Sequence, residues 1–232
     1  MPEHARRIRF RRKALRQPDE FHTLTTRAAA WLEAHRALAS GVALAVLVVA
    51  GTVLAVSQYR TSQMGRAAES FREAQATFQA GRFSEAATAF QELAENYPRT
   101  PSGRLAVLYR AHALARQGDA AGAATAYGEY LTSQPAATYL RQEALDGLAH
   151  AKEDSADPTA ALDAYTQAAA LEGPYRTDAS LGVARLNEAS GHADAAREIY
   201  ARLLKESPDP DLRALLTSKL PPSGDKTASA TP

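Results

Sequence analysis

The side chains that could carry chemistry are few and widely spaced. Six histidines, His4, His22, His35, His112, His150 and His192, are scattered through 232 residues, and no two stand at the i, i+4 spacing by which one helix face offers a pair of imidazoles to zinc. The chain has no cysteine, which excludes thiolate nucleophiles, disulfides and Cys-based zinc or iron-sulfur sites together. Neither a phosphate-cradling Gly-Lys-Ser/Thr loop nor a dinucleotide glycine motif nor a Gly-x-Ser-x-Gly elbow occurs. Glu153 and Asp154 are neighbouring carboxylates, but adjacent residues on a helix do not face each other. These residue types predict no catalytic residue, no metal site and no cofactor, and therefore no enzyme.

What remains is recognition. The 27 Lys and Arg nearly balance 26 Asp and Glu, so whole-chain charge favours neither nucleic acid nor an acidic substrate. The distribution is uneven: residues 1–36 carry nine basic against four acidic groups, whereas residues 57–232 carry 18 against 22. The stretch Arg6 to Arg16, RRIRFRRKALR, could be a nucleic-acid arm, but Phe10 alone interrupts the charge and no aromatic platform accompanies it. Attraction to anionic lipid headgroups fits better, because an apolar run follows; the partner expected here is membrane lipid and not nucleic acid. Asp19 and Glu20 suit a helix start. Phe21, Leu24, Ala28, Trp31, Leu32 and His35 then recur at helical spacing, in a helix that lies in the interface or leads straight into the span.

From Leu38 to Val56 the chain reads LASGVALAVLVVAGTVLAV, without a charge. At 1.5 Å per residue such a run crosses the roughly 30 Å of a bilayer core. Its ten Leu and Val contribute about −3 to −6 kcal/mol to insertion, and it has no polar face of the kind a globular helix shows. A cleaved signal peptide is the competing reading, since Ala55-Val56-Ser57 has small residues at suitable offsets. The long basic region ahead of the run and the length of the run itself favour a retained anchor. Positive-inside counting then puts residues 1–36 in the cytoplasm, because only Arg60 and Arg66 lie close on the far side.

Beyond the span the chain repeats itself at about 35 residues, the signature of a helical solenoid. Gly81, Ala86, Phe90 and Pro98 return as Gly118, Ala123, Tyr127 and Pro135, and again as Gly191, Ala196, Tyr200 and Pro208. A further copy has Ala161, Tyr165 and a Gly173-Pro174 stop, but Ala156 where the others have glycine. Glycine suits a left-handed turn between paired helices. Small residues at Ala74, Ala111, Ala149 and Ala184, and at Ala86, Ala123, Ala161 and Ala196, let those helices approach, while the aromatics fill the space between repeats. The expected fold is all-α: a single N-terminal transmembrane helix (37–58), then a right-handed helical-repeat solenoid of about four helix pairs (64–220). Leu212, Leu215, Leu216 and Leu220 cover its end from a C-terminal solvating helix, and 221–232 form a disordered tail.

This register resembles the tetratricopeptide repeat over roughly residues 67–208. With its N-terminal anchor, the chain also resembles the bacterial ancillary subunits of the Sec translocon. The repeat portion is similar to the periplasmic domain of a cell-division coordinator, through Tyr97-Pro98 and the stretch Ser102 to Ala106. The resemblance implies a single-pass protein of the bacterial inner membrane with periplasmic repeats, working with the translocon, translocating chains or other envelope proteins. Stacked helix pairs curve into a groove lined by the first helix of each pair. On this register it is lined by Phe71, Gln75 and Phe78, then Leu108, His112 and Arg116, then Asp146 and His150, then Leu181 and Arg185. Phe71 and Phe78 would be apolar anchors, and Arg116 and Arg185 could pair with acidic groups or a chain terminus. The same Phe residues also suit a core, and the same charges a solvated face.

Overall fold

The computed structural model describes residues 20–133, 137–207 and 209–221, with side chains from residue 25 onward. Ten helices and no strand occur among these residues. They are α1 (Glu20–Ala34), α2 (Arg36–Gln79), α3 (Phe83–Asn96), α4 (Pro101–Gln117), α5 (Ala120–Ser133), α6 (Thr138–Asp154), α7 (Pro158–Ala169), α8 (Arg176–Ala189), α9 (Ala193–Glu206) and α10 (Pro210–Ser218). The chain divides into two units between Arg60 and Thr61.

The first unit contains α1 and the N-terminal part of α2. Trp31 stacks on His35 with ring centroids 4.8 Å apart, and Arg36 pairs with Glu33 at 2.8 Å. The run Leu38 to Val56 lies wholly within α2, which is long and apolar enough to cross a membrane. Its Leu and Val side chains are exposed all round, Leu54 at 70%. The basic stretch Arg6 to Arg16, the Asp19 cap, the side chains of Phe21 and Leu24, the stops Pro135 and Pro208 and the tail from 222 lie outside the described residues.

The second unit is built from small residues. All eight alanines of the repeat register are at most 1% exposed, so backbones approach wherever the sequence places a methyl group. The C-terminal part of α2 packs through Ala67 and Ala74 against Ala86 and Phe90 of α3. From α3 to α10 each helix packs on the next in chain order. Phe90, Tyr127, Tyr165 and Tyr200 are each at most 5% exposed and sit in four successive core clusters. On α10, Leu216 is buried and Leu212 is half-buried, as is Leu220 just beyond the helix. Leu215 is 52% exposed, because one helix face cannot hold neighbouring residues and Leu216 takes the core side.

Local capping explains the turns. Gly118 ends α4 in the left-handed region at φ 89°, and Gly81 and Gly191 take φ 77° and 83°. Thr100 caps α4 by accepting from the Gly103 N–H at 3.0 Å, and Asp157 caps α7 by accepting from the Ala160 N–H at 3.2 Å. The third pair closes differently. Gln142 is fully buried and its amide donates to the carbonyls of Ala168 and Leu171, at 3.0 and 2.9 Å, while its oxygen accepts from the Tyr175 N–H at 3.2 Å. One buried side chain thus satisfies the end of α7 and the turn into α8.

Ala156 follows the glycine pattern in conformation but not in chemistry: its φ is 58°. An alanine in this region is strained by about 1–2 kcal/mol, partly offset because glycine loses roughly 0.5–1 kcal/mol more backbone entropy on folding. Ala156→Gly is therefore expected to stabilise the repeats by about 0.5–1 kcal/mol and raise Tm by roughly 1–4 °C. Thermal unfolding followed by circular dichroism checks this; a lower Tm would contradict it.

Candidate functional site

Each of the register tyrosines Tyr127, Tyr165 and Tyr200 does two things. Its ring is core, and the ring of Tyr165 lies so close to α8 that a Cβ on Gly182 would stand 2.9 Å from three of its carbons. The Tyr127 ring meets Gly147 of α6 in the same way. At the first boundary Phe90 instead packs beside Tyr109, centroids 5.4 Å apart, at the position the two glycines occupy later.

Pressed onto the next helix, the phenols carry their oxygens to polar groups of the first helices. Tyr127 Oη lies 2.7 Å from His112 Nδ1. Tyr165 donates to Glu153 Oε2 at 2.8 Å and lies 2.9 Å from His150 Nδ1, so that nitrogen carries the proton and donates to the phenol. Tyr200 donates to Glu188 Oε2 at 3.1 Å. The same groups bridge to the next repeat. Arg185 forks onto Glu153 at 2.5 and 2.7 Å, and Lys219 reaches Glu188 at 3.0 and 3.3 Å. His112 Nε2 is 3.1 Å from Glu143 Oε1, but off the line of an aligned hydrogen bond.

Of these groups, His150, Tyr165, Arg185, Tyr200 and Lys219 border a cleft of about 500 Å³ between α6, α8 and α10. Asp146 and His150 come from α6, Asp178, Leu181 and Arg185 from α8, Leu215 from α10 and Lys219 from the residue that follows it, with the rings of Tyr165, Tyr175 and Tyr200 between them. Four of the residues expected to line a groove, Asp146, His150, Leu181 and Arg185, meet here.

The other six do not. Phe71 packs against Phe90 and Tyr109, at 5.5 and 5.1 Å between centroids, and Phe78 packs edge-on against Phe83 at 5.3 Å. Leu108 is fully buried in the core, so it cannot touch a ligand, and Gln75 is half-buried on α2. His112 is held between Tyr127 and Glu143. Arg116 lies over the Phe83 ring, 5.3 Å from its centroid, in a cation–π contact. Both arginines expected to pair with acidic groups already have a partner within the chain, Phe83 for Arg116 and Glu153 for Arg185.

The pattern named the tyrosines as core fillers and missed their hydroxyls. The available signal was tyrosine in place of phenylalanine in three of four repeats. Asp178, Tyr175 and Lys219 carried no signal in the repeat register.

Charge in the cleft is unequally settled. The hydrogen bonds from Arg185 hold the Glu153 carboxyl below its ordinary range, helped by Tyr165, and Arg185 is correspondingly raised. Burial pushes the phenols of Tyr127 and Tyr165 well above their usual value, and nearby carboxylates push further. Asp146 is the exception among the acids. Burial raises it, His150 at 3.7 Å partly offsets this, and Asp178 adds to it. Its Oδ1 is buried without a hydrogen-bond partner.

Comparison with known proteins agrees with this architecture. Family models described as tetratricopeptide repeat match residues 71–138 and 153–218. Two crystal structures of nearly identical TPR-like repeats assigned to a kinesin light chain of Podosopora anserina, one of them a point variant, resemble the chain with a TM-score of 0.55 and 18% identity. Each similarity covers 67% of this chain and 83% of the other, and at that identity it concerns the fold. No curated protein matches the chain.

The two carboxylates have opposite linkage. Asp146 is raised in the folded state, so its ionised form costs stability at neutral pH and the cost disappears as pH falls below the ordinary Asp value of about 3.9. Glu153 is lowered, so its contribution is present above the ordinary Glu value of about 4.3 and is lost as pH falls through its folded value. At pH 7, Asp146→Asn is expected to raise Tm and Glu153→Gln to lower it, with both differences shrinking in acid. Thermal unfolding across pH checks the signs.

Proposed function

From a chain that carries tetratricopeptide repeats, we propose a membrane-anchored adaptor that binds segments of partner proteins in the cleft between α6, α8 and α10. The observation that carries this reading is the cleft itself, where apolar walls and a few converging polar groups meet on first helices. Repeats of this kind generally bind other proteins, and the described residues offer no group of three His, Asp or Glu that could hold a metal.

The anchor is the run Leu38 to Val56. Among the described residues nothing covers its side chains, and so large an apolar surface on a soluble protein would cause association. With the basic residues ahead of the run, the N-terminus is cytoplasmic and the repeats lie on the far side, the periplasm of a bacterial inner membrane. Partners are then envelope proteins or chains emerging from the translocon. Self-association through the anchor is a second reading, favoured by Ala37, Gly41 and Ala45, which recur every four residues on one face.

A phosphatase reporter fused after Leu220 is expected to be active, and a photo-crosslinker placed at His150 to capture envelope proteins in cells. An inactive phosphatase together with an active cytoplasmic reporter would overturn the topology. Crosslinks from His150 only to a second copy of the chain would overturn the adaptor in favour of self-association.

A further inference from the structure

We propose that this cleft selects a positively charged side chain, an Arg or Lys of a peptide segment with apolar neighbours. The inference rests on the adaptor reading and specifies what the cleft recognises.

The charges lining the cleft do not cancel. Arg185 is matched by the two bonds to Glu153, and Lys219 by Glu188. Both cations that could have received an acidic ligand are therefore already neutralised. Two carboxylates are left over. Asp146 has only His150 within reach, at 3.7 Å, and Asp178 pairs with no cation among the described residues. Asp146 and Asp178 both line the cleft, where a guanidinium or ammonium would meet them in charge-assisted hydrogen bonds.

The walls suit the rest of such a side chain. The rings of Tyr165, Tyr175 and Tyr200 and the side chains of Leu181 and Leu215 offer apolar surface to the methylene stem, and ring faces to the cation. Leu215 is exposed in a helix whose other leucines are buried or half-buried, so the cleft already presents an apolar contact to a neighbour of the charged residue. About 500 Å³ is in the range of sites that take several side chains.

The field agrees in sign. The Tyr127, Tyr165 and Tyr175 phenols are raised first by burial and then, in each case, also by the charge of Asp146. Residues 57–232 as a whole carry 22 acidic against 18 basic groups, a net charge that favours cations. An acidic segment would meet Asp146 and Asp178 with no free cation to receive it.

The test is calorimetric titration of the full chain in detergent with capped pentapeptides Ala-Leu-X-Leu-Ala, where X is Arg, Lys, citrulline or Glu. Citrulline keeps the shape of Arg and removes its charge. The Arg and Lys peptides are expected to bind about tenfold or more tightly than the citrulline peptide, as a desolvated charge pair would give, and the Glu peptide more weakly still. Asp146→Asn combined with Asp178→Asn should bring the Arg-to-citrulline ratio to about one while leaving citrulline binding unchanged, which also reports that the variant is folded. Equal affinities for Arg and citrulline in the unmodified protein, or a ratio that survives in the double variant, would overturn the inference and leave the cleft a peptide site. Absence of binding by every peptide, Arg included, would overturn both the inference and the cleft as the adaptor's site.

Discussion

The ring of Tyr165 can lie against the backbone of α8 because Gly182 has no side chain there, and Tyr127 meets α6 at Gly147 for the same reason. Much else follows from this contact. Repeats stack at the distance it permits, the alanines of the register then close the remaining space, and apolar area leaves water without large side chains. The phenol oxygens are carried to the polar face, where burial requires them to find partners. They find His112, His150, Glu153 and Glu188, and these in turn reach Glu143, Arg185 and Lys219 in the repeat that follows. A packing contact in the core thus leads to a ladder of polar bonds along the surface.

The parts of the fold that are periodic were legible in the chain. The alanine positions, the between-repeat aromatics and the glycine turns each have a physical reason that recurs with the register, including the exception at Ala156. Groove membership is not periodic in this way. Leu108, Asp146 and Leu181 share one register position, yet Leu108 is core while Asp146 and Leu181 line the cleft. Their fates differ with what packs against each helix, which is tertiary information. The bridges of Arg185 to Glu153 and Lys219 to Glu188 join residues 32 and 31 apart, a spacing no local pattern flags.

The copy that departs most from the register borders the cleft. Its helices α6 and α7 carry the strained turn at Ala156, the buried amide of Gln142 and the raised carboxylate of Asp146. Gln142 repairs the helix end that the irregular Gly173-Pro174 turn leaves open, and the same turn places Tyr175 in the cleft wall. Ala156 and Asp146 each cost stability, which is commonly how a binding surface differs from the scaffold that holds it.

The dependence of both stacking and cleft on one close contact is tested most directly by hydrogen exchange of the Gly182→Ala chain, read by mass spectrometry peptide by peptide. The added methyl should push Tyr165 off α8, so protection should fall in α7, α8 and α9 while α3 and α4 stay as protected as in the unaltered chain. Unchanged protection in α7 and α8, or a loss spread evenly over all repeats, would contradict the account.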